Sequence, residues 1–334
     1  ATSYNNFFHD LISTLILKKV YILLIKIMSN LKNLTIVIVT YKTNEDILNN
    51  CLNSIDREVQ IKVIENSSEK ESHISLINKR DNLSIYYTGK NLGYGGGNNF
   101  GFNLVETDYV IVANPDIIFH KTFFENIKKY LDSTFNFTII GSAYNKDKSF
   151  ASSGLFKENE KKIYKDNAVL SSGKTLDDLV KVDWVTGCMM LINLKKFDSS
   201  KIFDESFFLY FEEFDLCKKI EILEGNVYMA NDLLIDHLGN KSSFGSEPKN
   251  QLESERLREW HWMWSTFYFY KKNYGYLFAI KKTIGKLLRS FFKIIFYTIT
   301  FNEKMKNKYI SRFSGLFNSI IGKKSFYRVN NKNQ

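Results

Sequence analysis

Asn91-Leu92-Gly93-Tyr94-Gly95-Gly96-Gly97-Asn98-Asn99-Phe100-Gly101 is the stretch from which the rest of the chain can be read. Five of the chain's 17 glycines fall here, together with three asparagines. Glycine weakens any regular element through backbone entropy, so this density implies backbone that must approach another group closely. Asparagine amides supply donors and acceptors for bases, sugars or phosphate oxygens. The run therefore predicts a small polar ligand, first of all a nucleotide; the plain alternative is a mobile Gly/Asn loop. After Gly93 and Gly95, Asn98 stands where the dinucleotide fingerprint requires its third glycine, and no Gly-Lys-Ser/Thr closes a glycine loop. Both absences argue against a dehydrogenase or a kinase.

Outward from the run, residues 34–144 alternate between strand and helix patterns. Residues 34–40 are a continuous β-branched run of the kind buried on both faces. A helix follows with Ile47, Leu48, Cys51, Leu52 and Ile55 on one side. Strands are predicted at 61–65, 83–87 and 109–113, and the glycine run leads into a short helix ending near Val105. Successive βα units imply a parallel, doubly wound sheet, whose ligands bind beyond the carboxyl ends of the strands. Thr40-Tyr41, Glu65-Asn66, the 91–99 run and Asn114-Pro115-Asp116 all fall at those ends. Residues 145–182 read as polar and loop-rich and 183–192 as strand. A helix is predicted at 210–224, short strands at 226–230 and 233–236, and helix from about 251 onward.

The 334 residues are 44% hydrophobic and 15% aromatic, which excludes disorder over most of the length. A formal charge of +10 favours an acidic partner: nucleotide, nucleic acid or anionic membrane. Cys51, Cys188 and Cys217 are odd in number and lack metal-ligand spacing, as expected of reduced, buried thiols in a cytosolic protein. Residues 11–27 are apolar but interrupted by Lys18, Lys19 and Lys26, too short to span a bilayer and unlike a cleaved leader. They suit an interfacial helix, or an extension ahead of a start at Met28. The organisation expected is therefore an extension at 1–27, a globular domain at 28–250 and a helical, basic-aromatic region at 251–334. On a helical projection of 277–300, Lys282, Lys286, Arg289 and Lys293 fall within an arc of about 60°. Leu277, Ile280, Ile284, Leu287, Leu288, Phe291, Ile294 and Ile295 lie opposite. A basic stripe facing an apolar one is the pattern of a helix lying in a membrane interface; the alternative is a helix packed on the domain. Nucleic acid is disfavoured, since the basic residues concentrate on one amphipathic helix rather than along an aromatic groove.

Three clusters carry candidate chemistry. Asn114-Pro115-Asp116 closes a buried strand with a carboxylate, which suits a hard divalent cation or simply a turn. Glu212-Glu213-Phe214-Asp215 places three carboxylates after Phe207-Phe208-Leu209-Tyr210-Phe211. Helix capping would explain them, but the apolar setting raises carboxylate pKa values and favours a general base. His237 follows a strand, with Ser242 and Ser243 close behind, and matters chemically only if Asp116 holds a metal.

In these residues, over roughly 34–275, the chain resembles the family 2 glycosyltransferases of the GT-A fold, especially their rhamnosyltransferase-like bacterial members. The resemblance implies a mostly parallel central sheet flanked by helices, with a helical C-terminal extension. It implies nucleotide-sugar contacts at Thr40, Tyr41, Glu65, Asn66, Asn91, Gly93, Gly96, Gly97, Asn98, Asn99 and Asn114. Glu65 stands where the family's Asp-Asn-x-Ser has aspartate. Trp184, Thr186 and Gly187 fall on the acceptor side. Asp116 and His237 are implied ligands of a divalent cation, Mg²⁺ or Mn²⁺. Glu213 takes the place of the catalytic aspartate, with Glu212 and Asp215 as alternates. The activity implied is inverting transfer of a hexose or deoxyhexose, rhamnose favoured, to a saccharide or lipid-linked saccharide in bacterial surface polysaccharide synthesis. That activity would sit on the inner face of the cytoplasmic membrane, and the rival reading is a non-catalytic sugar-binding protein on the same fold.

Overall fold

A computed structural model describes residues 30–68, 74, 80–131, 135–144, 152–156, 176–239 and 248–328. The extension at 1–27, Met28, Ser242 and Ser243 lie outside the described residues, as does most of the 145–175 stretch. After a 3-10 turn at Asn30–Asn33 come β1 (Leu34–Thr40), α1 (Glu45–Asn53), β2 (Gln60–Glu65), β3 (Leu83–Tyr87) and α2 (Gly93–Phe102). There follow β4 (Tyr109–Ala113), β5 (Ile117–Phe119), α3 (Phe123–Ile127), β6 (Ile139–Tyr144), β7 (Ser153–Gly154), β8 (Leu179–Lys181), β9 (Trp184–Val185) and β10 (Met189–Asn193). The chain continues through α4 (Glu212–Ile222), β11 (Val227–His237), α5 (Pro248–Tyr274), α6 (Tyr276–Ile299) and α7 (Glu303–Ile320).

The sheet order is β3-β2-β1-β4-β10-β6-β11-β5, with β8 also on β11. Its first four strands are parallel, the doubly wound half expected from the βα alternation. Strand β10 runs antiparallel between β4 and β6, so the second half is mixed rather than parallel. Strand β1 is buried along almost its whole length, which is why its sequence reads as an unbroken β-branched run. Helix α1 starts where the Asn44 side chain accepts from the Asp46 and Ile47 amides, and it buries Leu48, Cys51 and Leu52.

The glycine run is a helix rather than a loop, which corrects the sequence reading. Two of its glycines face β1, on which α2 lies directly: a Cβ at Gly97 would stand 2.7 Å from Val39 Cγ1, and one at Gly101 2.5 Å from Val37 Cγ1. Side chains at these positions would push helix and sheet apart. The two short strands expected at 226–236 are one strand, β11, whose register on β6 shifts between Ala230 and Leu234. Beyond that shift β11 also pairs with β5, setting His237 opposite Ile117. The three cysteines are free and buried, as expected. Among the described residues no helix is long and apolar enough to cross a membrane.

Candidate active site

The carboxylate cluster opens α4 and is placed by an unusual backbone. Tyr210 and Phe211 both adopt left-handed conformations, φ 68° and 71°. For bulky non-glycine residues this costs about 1–2 kcal/mol each, a strain that persists only where surrounding contacts impose it. Those contacts come from α5. Tyr210 and Phe211 pack on Trp262 at 5.3 Å each, Phe211 also on Phe269 at 5.4 Å, and Ser265 Oγ donates to the Leu209 carbonyl at 2.9 Å. From the opposite side the Tyr94 amide donates to the Phe208 carbonyl at 3.0 Å.

The three candidate bases then separate. Asp215 is buried and held by Lys272 Nζ at 2.6 Å and Asn273 Nδ2 at 3.1 Å, so it anchors α4 to α5 and is removed as an alternate base. Glu212 is buried, and its Oε2 has no hydrogen-bond partner. Burial first, and then the neighbouring Glu213 charge, push its pKa well above the usual carboxylate range. Glu213 is half-buried and its pKa is pushed up to about 7 by burial, opposed by the Glu213 and Phe214 amides at the helix start. A carboxylate poised near neutrality can take a proton and release it again.

Around Glu213 the structure gathers the glycine helix and the segment between β9 and β10. A Cβ at Gly187 would lie 3.3 Å from Tyr94 Oη and 3.6 Å from Glu213 Cβ. The Tyr94 hydroxyl donates to the Gly187 carbonyl. Burial and then the Glu212 and Glu213 charges raise its pKa, keeping it a hydroxyl donor. The sequence reading did not single out Tyr94 as a site residue; its one signal was an aromatic hydroxyl within a glycine run. Thr186 Oγ1 lies 3.2 Å from Tyr144 Oη, and the Cys188 carbonyl accepts from the Asn114 amide at 2.9 Å. The Tyr144 ring stacks on His237 at 6.1 Å. Residues 186–188 thus connect the surroundings of Glu213 to Asn114, two residues before Asp116, and through Tyr144 to His237. Trp184 packs on Phe214 at 4.8 Å.

His237 Nε2 lies 3.4 Å from Asp116 Oδ1, an approach set by the β11–β5 register and by the Leu238 amide donating to the Asp116 carbonyl at 3.0 Å. Asp116 is buried while His237 keeps access to solvent. One carboxylate and one imidazole make a partial donor set that fits a divalent cation completing its shell with ligand and water oxygens. No group of three or more metal-ligating side chains occurs among the described residues.

Several residues expected to touch the donor are taken up inside the protein instead. Glu65 is fully buried and accepts from Thr40 Oγ1 at 2.6 Å and Ser67 Oγ at 2.7 Å. Asn66 donates to the Gly93 carbonyl at 2.9 Å and accepts from the Leu92 amide at 2.9 Å. Asn99 accepts from the Ile202 and Phe203 amides at 3.1 and 3.0 Å and donates to the Phe203 carbonyl. Asn98 is buried, with Nδ2 on the Tyr94 carbonyl and Oδ1 without a partner. Gly93, Gly96 and Gly97 are buried, and the amides at the start of α2 already meet Asn66, Asn91 and Phe208 acceptors. Thr40, Glu65, Asn66, Asn99 and the three glycines are thus buried and tied into the protein's own hydrogen-bond network. Tyr41, Asn91 and Asn114 remain partly open to solvent.

A strand-end carboxylate with a histidine, connected through residues 186–188 to a near-neutral glutamate, is the arrangement of a group-transfer site. Residues 35–198 match the family model "Glycosyl transferase family 2". The chain carries a family 2 glycosyltransferase domain, and it is a glycosyltransferase. It is 28% identical over 218 residues to a low-salt glycan biosynthesis hexosyltransferase of Haloferax volcanii, covering 63% of this chain and 68% of that protein. It is 25% identical over 201 residues to the rhamnosyltransferase WbbL of Escherichia coli K12, covering 48% and 71%. Among solved structures it is similar to a Pyrobaculum calidifontis mannosyltransferase in complex with GDP-Man and Mn²⁺, at TM-score 0.45, 11% identity and 86% and 87% coverage. It is also similar to GalNAc-T7 with UDP, GalNAc and Mn²⁺, at TM-score 0.43, 14% identity and 71% and 49% coverage. The sheet order with its flanking helices agrees with the GT-A architecture expected from sequence.

Proposed function

We propose that this glycosyltransferase moves a hexose or deoxyhexose from a nucleotide-diphosphate sugar to a saccharide hydroxyl by a single inverting displacement. The observation that carries the proposal is Glu213, with a pKa near 7, at a strained helix start facing Gly187 and Tyr94. The acceptor oxygen bonds to the anomeric carbon as the bond to the diphosphate breaks, and Glu213 takes the acceptor proton. The Tyr94 hydroxyl fixes the Gly187 carbonyl and so the segment on which the acceptor rests. Asp116 and His237 would hold a divalent cation, Mg²⁺ or Mn²⁺, whose charge offsets that of the departing nucleoside diphosphate. Tyr41, Asn91 and Asn114 are the residues left open to the donor.

Rhamnose is the favoured sugar, because one curated relative is named a rhamnosyltransferase; a hexose follows from the other's name. The acceptor proposed is a lipid-linked saccharide of bacterial surface polysaccharide assembly. A non-catalytic sugar-binding role gives no reason for a carboxylate tuned near neutrality beside that segment. The test is a panel of nucleotide sugars with and without Mg²⁺ or Mn²⁺, scored by donor hydrolysis and thermal shift. A donor that raises the melting temperature only with metal, and is turned over, is the expected result. No response to any member would overturn the proposal.

A further inference from the structure

Helix α6 has three different sides, one more than its sequence implied. The side packed on the protein is lined by small residues, Ala279, Thr283 and Ser290. It closes on α5 and α7 around Met263, Phe267 and Leu316. Ile280 and Leu287 of the apolar side pack there too, and the rest of that side turns away from the domain. Leu277, Ile284, Leu288, Phe292 and Ile295 stand out from the surface, with Leu277 82% and Phe292 64% exposed. The patch continues onto α7 through Phe291, Phe313 and Phe317, whose rings follow one another at 6.2 and 5.9 Å, and Phe317 is itself exposed. An apolar face this continuous marks an interaction surface. Between the packed and apolar sides runs the basic stripe of Lys282, Lys286, Arg289 and Lys293. The 24-residue helix contains five lysines and arginines and no acidic residue. Lys286 lies towards Arg312 of α7, and burial and then that charge lower its pKa, while Arg312 pairs with Glu259, so the stripe's exposed charge comes from its other members.

We infer that the outer face of α6 and α7 docks on an anionic lipid bilayer, α6 lying in the interface plane rather than crossing it. Charge complementarity selects this occupant. A second copy of the chain would bring two such basic stripes together, whereas anionic headgroups meet them beside a hydrocarbon layer that takes the aromatic side chains. The inference stands apart from the catalytic assignment. Through α5, the docked face is rigidly connected to Phe211 and the start of α4, so it also sets the distance of Glu213 from the bilayer.

Co-sedimentation of the full chain with vesicles tests it, using phosphatidylcholine alone and phosphatidylcholine with roughly one third phosphatidylglycerol. Two variants separate the contributions: Lys282→Gln/Arg289→Gln/Lys293→Gln, and Leu288→Ser/Phe292→Ser/Ile295→Ser. All six positions lie outside the buried seam, so both variants should keep the melting temperature and donor hydrolysis of the native chain. The native chain should sediment with the anionic vesicles. The charge variant should lose roughly fivefold in partitioning per cation, about a hundredfold in all, and the serine variant should lose binding to either vesicle. A native chain that stays in solution with anionic vesicles overturns the inference. So does a dimer, seen by light scattering, that the serine variant converts to monomer, because the face is then covered by a second copy.

Discussion

Replacing Glu213 by Gln tests the reading of the site most directly, and the structure supplies the numbers. With a pKa of about 7, roughly 10% of Glu213 is ionised at pH 6 and roughly 90% at pH 8. Transfer at saturating donor and limiting acceptor should therefore rise about tenfold between those values. An ordinary solvent-exposed carboxylate, titrating near 4.3, would give a flat profile over the same range. Glu213→Gln should lower kcat/KM by about 10²–10⁴-fold, the usual contribution of a positioned base. Donor affinity should be unchanged. Glu212→Gln should keep most of the activity and the same rising profile, because Glu213 remains in place as the base. Stability distinguishes lost chemistry from lost folding. A carboxyl whose folded pKa is raised above its unfolded value destabilises the fold progressively as pH rises from about 4.3 to about 7. Removing it should therefore raise the melting temperature at pH 8 and leave it unchanged at pH 4. The assays are initial rates of nucleoside diphosphate release from pH 5.5 to 8.5 and thermal unfolding at the two pH values. A flat rate profile, or a glutamine variant retaining a third of native activity, would refute the assignment.

Asp116→Asn should abolish any metal-dependent thermal shift on donor addition while leaving the ligand-free melting temperature within a degree or two, and titration calorimetry with Mn²⁺ and nucleoside diphosphate checks it. The same substitution should act in opposite senses at two glycines. Gly101→Ala forces a Cβ to 2.5 Å from Val37 Cγ1 and should cost about 1–3 kcal/mol. Gly285→Ala, with nothing within 4 Å, should stabilise by up to about 1 kcal/mol; urea unfolding measures both. Lys272→Met removes the cation shared by Asp204 and Asp215 and should destabilise by about 3 kcal/mol, because Asp215 is left as a buried charge. Burial and the Lys272 bond act oppositely on Asp204, and its pKa falls below the ordinary value. That part of the stability is present at neutral pH, fades as pH falls through the lowered pKa, and should be missing from the acid limb of the variant's stability curve.

The parallel half of the sheet was legible because burial on both faces leaves unbroken apolar runs, and turn residues mark their ends. The antiparallel β10 between β4 and β6 was not, since strand direction leaves no trace in a five-residue apolar segment. Residues 91–101 were recognised as a close approach, and the structure shows Gly97 and Gly101 approaching Val39 and Val37 of β1, Gly93 Phe208 and Gly95 Phe203. Packing overrides glycine's low helix propensity there, and propensity alone reads a loop. The internal partners of Asn66 and Asn99 were not legible either: a polar side chain beside crowded backbone meets carbonyls and amides that are distant in sequence. Choosing among Glu212, Glu213 and Asp215 needed Lys272, which approaches from 57 residues away. The clusters at Asp116 and Glu213 were both visible as motifs. The 186–188 segment that connects them follows from register and could be seen only in three dimensions.

Helix α2 also constrains the order in which the molecule assembles. Its segment carries five glycines in ten residues, each of which costs about 1 kcal/mol of helical stability relative to alanine. A segment so handicapped has no helix of its own to offer an unfolded chain. It can only condense on β1 and β2 once those strands have paired, and Asn99 can then draw 202–203, and with them the approach to α4, into place. Helix α2 is thus expected to form only together with its packing on the paired strands. Amide exchange in α2 should report on the integrity of that packing.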